Sequence, residues 1–195
     1  MRDTRTERLA GYVEPSENNW DMAVVRLSPD GSPDAAFGAG GQVVVPFDLA
    51  SNGFDYASSV VWQADGKLVV GGYAADETGA GHGAVMRLDA DGGLDGQFGE
   101  SGKRTFALVE GNPANTSLEG LALQGSRIIG VGTARDDGDE DPYYQFAVRF
   151  AIDLVYANGF EQETRSNGIP AHRRPGGVPA GARLFRALAR KLTGG

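Results

Sequence analysis

One interval governs this sequence. Arg26, Asp30, Gly31, Asp34, Phe37 and Gly41 each recur 61 residues later, as Arg87, Asp91, Gly92, Asp95, Phe98 and Gly102. Six coincidences at one offset define an internal repeat, and a repeat of this length points to stacked supersecondary units. A third copy begins at Phe146-Ala147-Val148-Arg149-Phe150 and then loses the pattern. A second block keeps nearly the same interval: Leu9-Ala10-Gly11-Tyr12 precedes Val70-Gly71-Gly72-Tyr73 by 61, and Leu68 to Gly72 precedes Ile128 to Gly132 by 60.

Within one period the local signals are those of strands. Short runs rich in Val, Leu and aromatics, at 22–27, 42–47, 57–63 and 67–73, are separated by Pro-Asp-Gly, Ala-Asp-Gly and Gly-rich turns. Ser58 to Gln63, then Ala64-Asp65-Gly66, then Lys67 to Val70 reads as a hairpin, since the Gly of Asp-Gly supplies the positive φ of a tight turn. The chain has 30 Gly in 195 residues, roughly twice the usual share of about 7%, and the repeat assigns many of them to such turns. No segment before about residue 180 sustains a 3.6-residue apolar period. The expected fold is all-β: tandem four-stranded antiparallel blades of the β-propeller type, with an open sheet stack or sandwich as the alternative.

The succession Arg26-Leu27, Asp30-Gly31, Asp34, Phe37-Gly38, Gly41, then Gln63, Asp65-Gly66-Lys67-Leu68-Val69-Val70 and Gly72 resembles the bacterial delta-sixty repeat, named for its period. The resemblance is good over residues 22–106, weaker over 9–21 and 107–150, and absent beyond. It implies a propeller-like fold and a large secreted or cell-surface bacterial protein, hence an extracellular location. It carries over no catalytic or binding residue.

The expected organisation is an unmatched segment 1–8, a β-repeat domain 9–160, and a flexible basic tail 161–195 with a short amphipathic helix at 182–192. Residues 1–160 hold 11 basic and 24 acidic residues, 11 − 24 = −13, and residues 161–195 hold 7 and 2, 7 − 2 = +5. An acidic body argues against a nucleic-acid partner, which needs a clustered basic surface. No apolar run is long enough for a transmembrane helix, and no apolar stretch follows Arg2, Arg5 and Arg8 to make a signal peptide in this chain. Propellers close with four to eight blades, and residues 9–157 hold under three. The expectation is therefore a piece of a longer array, or a protomer that self-associates through exposed blade edges.

Motifs that suggest chemistry weaken when compared across copies. Gly99-Glu100-Ser101-Gly102-Lys103-Arg104 suggests a phosphate loop, but its copy Gly38-Ala39-Gly40-Gly41-Gln42 has no Lys, and Arg104 stands where a Ser or Thr must bind magnesium. Gly130-Val131-Gly132 fails as a dinucleotide fingerprint because Arg135 replaces the third Gly. With no Cys and only His82 and His172, thiol, zinc and triad chemistry have little to work with. Asp89, Asp91 and Asp95 alternate as calcium ligands do, although the first copy has Ser28 in place of Asp89, and a plain Asp-Gly turn is the competing account. Asp137, Asp139 and Asp141 form a second weak calcium candidate against a solvated loop. Tyr12, Trp20, Trp62 and Tyr73 read as blade packing, because Tyr12 and Tyr73 recur at the interval.

The expected function is a non-enzymatic repeat scaffold or binding module for a protein or glycan ligand, with no catalytic residue and no cofactor beyond the calcium candidates. The alternative is a fragment of a propeller-type glycan hydrolase using paired carboxylates.

Overall fold

The computed structural model describes residues 7–50, 53–108, 115–125, 127–135 and 143–151. The basic tail, its expected helix, His172 and the cluster Asp137, Asp139, Asp141 lie outside them. The described residues form ten strands and no helix, so the all-β expectation holds there.

The strands group into three antiparallel meanders. The first joins β1 (Glu7–Ser16), β2 (Asn19–Leu27) and β3 (Gln42–Val45). In the second, β4 (Asp55–Trp62), β5 (Leu68–Ala75), β6 (Gly81–Leu88) and β7 (Lys103–Phe106) pair in chain order. The third joins β8 (Asn115–Gln124), β9 (Arg127–Arg135) and β10 (Tyr143–Ala151). β1 begins at Glu7, two residues ahead of the expected boundary at 9.

One parallel backbone bridge links each successive pair of meanders, Trp20 with Phe54 and Gly81 with Asn115. Both members of the second pair lie 61 residues beyond those of the first. The repeat therefore fixes the step between meanders as well as their internal pairing.

Two cores follow from this stacking. Met22, Val24, Phe37, Val45 and Phe47 meet Ala57, Leu68, Val70, Ala84, Met86 and Leu88. On the other side of the middle meander, Val69, Val85, Phe98 and Phe106 meet Leu118, Ile128, Val148 and Phe150. Side chains alternate across a strand, so consecutive Leu68, Val69 and Val70 serve the two cores in turn. That is why β5 opens on an unbroken apolar run, as strands covered on both faces do.

The turns obey the Asp-Gly signal. Gly66 takes φ +91°, and Gly66 N–H donates to Gln63 O at 3.0 Å while Gln63 N–H donates to Lys67 O at 2.9 Å. The long loops after β2 and β6 are bonded alike at the 61-residue offset. Asp34 N–H donates to Arg26 O and Phe37 N–H to Asp34 O, both at 2.9 Å, and Asp95 to Arg87 and Phe98 to Asp95 repeat both bonds at 2.9 Å.

Candidate functional site

Each long loop is clamped by an Arg, an Asp and a Phe. Arg26 Nε donates to Asp34 Oδ2 at 2.9 Å with its guanidinium 4.6 Å from the Phe37 ring, and Arg87 Nε donates to Asp95 Oδ2 at 2.6 Å, 5.1 Å from Phe98. The two loops also touch: Gly38 N–H donates to Asp91 O at 2.7 Å, and Arg26 Nη1 donates to Ala90 O. These repeated positions are used by the fold.

The calcium candidates of this loop have the following places. Asp95 Oδ2 accepts Lys67 Nζ at 2.7 Å as well as Arg87, and Asp95 Oδ1 accepts Gln97 N–H at 3.0 Å. Asp89 Oδ1 accepts the same Lys67 Nζ at 2.8 Å. Asp91 Oδ1 accepts Gly93 N–H at 3.1 Å and its side chain turns back on its own loop. Lys67 thus stands between Asp89 and Asp95, and Asp91 is held apart. Burial alone would raise the pKa of Asp95, but Lys67, the Gln97 amide and Arg87 together bring it below the ordinary value.

Where the copies differ, the junction between the first and second meanders stands out. Tyr12 stacks on Trp20 with centroids 4.3 Å apart and planes 15° apart, and Trp20 meets Phe54 edge-on at 5.1 Å. At the next junction the same positions are Tyr73, Gly81 and Asn115, and the Tyr73 hydroxyl lies 3.2 Å from Asn115 Oδ1. Tyr73 also stacks on Tyr56 at 5.1 Å, so one junction is a closed polar contact and the other an open aromatic ledge. Tyr12 is 51% exposed and Phe54 40%. The expectation of blade packing fits Tyr73, whereas Tyr12 keeps half its surface free because no strand among the described residues covers β1 as β4 covers β5. Trp62 is also largely exposed, with the Arg8 guanidinium 3.9 Å above its ring.

Three acids that sequence reasoning did not single out lie at this same junction. Asp55 opens β4 and is 2% exposed; its Oδ2 accepts Phe47 N–H at 2.8 Å. Burial raises its pKa, the amides of Phe47 and Asp48 oppose that, and the charges of Asp21 and Asp48 add to it. Burial, then the Asp48 charge, also raise the pKa of buried Asp21. Asp48 is exposed and holds φ +55°. The signal was available as a break in the repeat: Asp21, Phe54 and Asp55 become His82, Asn115 and Thr116.

The hairpin between β5 and β6 carries the described histidine. His82 Nε2 lies 2.8 Å from Asp76 Oδ2, and Asp76 Oδ1 accepts Thr78 Oγ1 at 2.6 Å, Thr78 N–H at 2.8 Å and Ala80 N–H at 3.1 Å. The Thr78 hydroxyl and then His82 hold the Asp76 carboxyl down at about 2.

No helix among the described residues is long and apolar enough to cross a membrane. No curated protein matches the chain. A family model does match: residues 9–37 and 63–98, which end on the equivalent Phe37 and Phe98, are similar to a family described as a domain of unknown function (DUF5122) beta-propeller, and this supports a β-propeller-like repeat fold for the chain.

Proposed function

We propose that this chain is a non-enzymatic repeat scaffold or binding module of propeller-type, four-stranded blades, part of a larger bacterial secreted or surface protein of the delta-sixty repeat kind. The blade reading is supported by β4 to β7, which pair in order as one four-stranded unit. By the 61-residue offset β1 to β3 correspond to β5 to β7, and β8 to β10 to β4 to β6.

The observation that carries the binding role is the aromatic ledge. Tyr12 stacked on Trp20, with Phe54 set edge-on beside them, presents a partly exposed apolar surface with polar edges, suited to a pyranose ring or to an apolar side chain of a protein partner. Its counterpart Tyr73 is turned inward to Asn115, so the repeat does not need that exposure. Retention on a panel of immobilised neutral polysaccharides, and mass by light scattering for self-association, test the reading. Tyr12→Ala and Phe54→Ala should each reduce retention or association at least about tenfold, as loss of a central aromatic contact does. A strict monomer retained by no glycan, or retention indifferent to both substitutions, would count against it.

A glycan hydrolase working through paired carboxylates is the second reading, favoured by the raised pKa values of Asp21 and Asp55. A general acid must reach the glycosidic oxygen, and Asp55 is enclosed. Release of reducing ends that Asp55→Thr abolishes would reverse the order of the two readings.

A further inference from the structure

The charge on Asp55 has no structural task that the next repeat does not perform without it. Thr116, 61 residues on, accepts Leu108 N–H through Oγ1 at 3.0 Å, just as Asp55 Oδ2 accepts Phe47 N–H. The same offset turns Asp21 into His82 and Asp48 into Val109. All three carboxylates therefore belong to one junction and are surplus to the repeat.

The second oxygen of Asp55 is the unusual one. Asp55 Oδ1 is buried and accepts no hydrogen bond. It lies 3.5 Å from the point that a Cβ on Gly53 would occupy, and the carbonyl oxygens of Ala50 and Ala75 lie 3.7 and 3.8 Å from that same point. The three neighbours at this point are all oxygen acceptors. The charged side chains that act on Asp55 are Asp21 and Asp48, both anions. A buried carboxylate in such company is costly unless a cation joins it or a proton neutralises it.

Among the described residues no three carboxylate or imidazole side chains make a ligand set by themselves, so backbone oxygens have to complete one. Calcium accepts that mixture, taking six to eight carboxylate, carbonyl and water oxygens in flexible geometry, whereas magnesium demands a near-ideal octahedron. We propose that Asp55 Oδ1 and the Ala50 and Ala75 carbonyls bind a calcium ion at the junction of the first two meanders, with Asp21 and solvent-facing Asp48 holding it by charge. One directly bound carboxylate places the site in the weak class, with Kd on the order of 0.1–1 mM.

Thermal melting of the full chain, first in chelator and then with calcium added, tests this. Binding to the folded state alone should raise Tm by about 3–10 °C at about 10 mM calcium, and magnesium at the same concentration should raise it less than half as much. Asp55→Thr supplies the hydroxyl acceptor that Thr116 uses, and should fold yet lose the response. Asp48→Asn, at an exposed position, should weaken apparent affinity several-fold without disturbing the fold. Asp89→Asn and the triple change of Asp137, Asp139 and Asp141 to Asn should leave the response intact. No rise in Tm, an equal rise with magnesium, a rise that survives Asp55→Thr, or one lost in the Asp89 or triple variant would each overturn the site.

Discussion

Asp34 and Asp95 occupy the same place in two successive repeats and each binds the Arg of its own copy, but their surroundings differ. Asp34 is 23% exposed and pairs with Arg26; Asp95 is 4% exposed and pairs with both Arg87 and Lys67. The position equivalent to Lys67 in the preceding copy is Thr6, which offers no charge. Most residues of both loops are exposed, but Asp95 itself is enclosed whereas Asp34 stays partly open to water. The repeat duplicates the bonds, and enclosure decides what each bond is worth.

Removing the carboxylate is the strongest way to test that difference. Asp95→Ala takes the anion from the buried Arg87 guanidinium and one of two from Lys67, which keeps Asp89, and breaking such a buried pair costs about 3–5 kcal/mol. Asp34→Ala removes a better-solvated pair and one loop hydrogen bond, from Ala36 N–H, and should cost only about 1 kcal/mol. Urea denaturation of the two variants measures both. Equal losses would show that enclosure does not separate the copies.

Glycine positions sharpen the comparison by packing instead of charge. A Cβ on Gly72 would sit 1.9 Å from Tyr56 O, and one on Gly132 would sit 2.0 Å from Ser117 O. Both oxygens flank the places where β4 and β8 slip register, between Ala57 and Ser59 and between Leu118 and Gly120. The blocking atom is backbone in each case, so Gly72→Ala must shift a strand and should cost roughly 2–3 kcal/mol. Gly11, the equivalent residue of β1, has nothing within 4 Å of that position. Gly11→Ala should therefore be neutral or stabilise by up to about 1 kcal/mol, since alanine lowers the entropy of the unfolded chain. The difference in urea midpoint between these two variants reads the presence or absence of an inner strand directly.

Much of this was legible in the sequence. The Asp-Gly turns, the four strand runs and the register of the copies are local chemistry repeated at a fixed interval, and the structure places Gly66 and the Arg–Asp–Phe clamps accordingly. The place of Lys67 beside Asp89 and Asp95 was less legible, because it reaches them from a different turn. Exposure was not legible either, because Tyr12 and Tyr73 are the same residue at the same repeat position and differ only in what covers them. Asp55 shows the converse. Read alone it is one of 26 acids, but set against Thr116 it becomes a charge added to a position where a hydroxyl suffices.

The smallest expected effect lies in the β5–β6 hairpin, whose Asp76 turn the first copy lacks, Pro15 standing in the place of Asp76. The Asp76 carboxyl is held at about 2, below its ordinary 3.8, chiefly by the Thr78 hydroxyl and then by His82. A carboxyl with a lowered folded pKa binds its proton more readily in the unfolded chain. Its contribution is therefore fully present above about pH 4 and is lost as pH falls from there to about 2. Replacing the group by Asp76→Asn should lower Tm slightly at neutral pH and flatten the fall in Tm between pH 4 and 2, while leaving the β1–β2 hairpin, with its different turn, unaffected. Amide exchange in the two hairpins across that pH window separates them. Acid-induced opening that sets in equally in both would show that the loss comes from the acidic body as a whole, and that the bonds around Asp76 do not distinguish its hairpin from its counterpart.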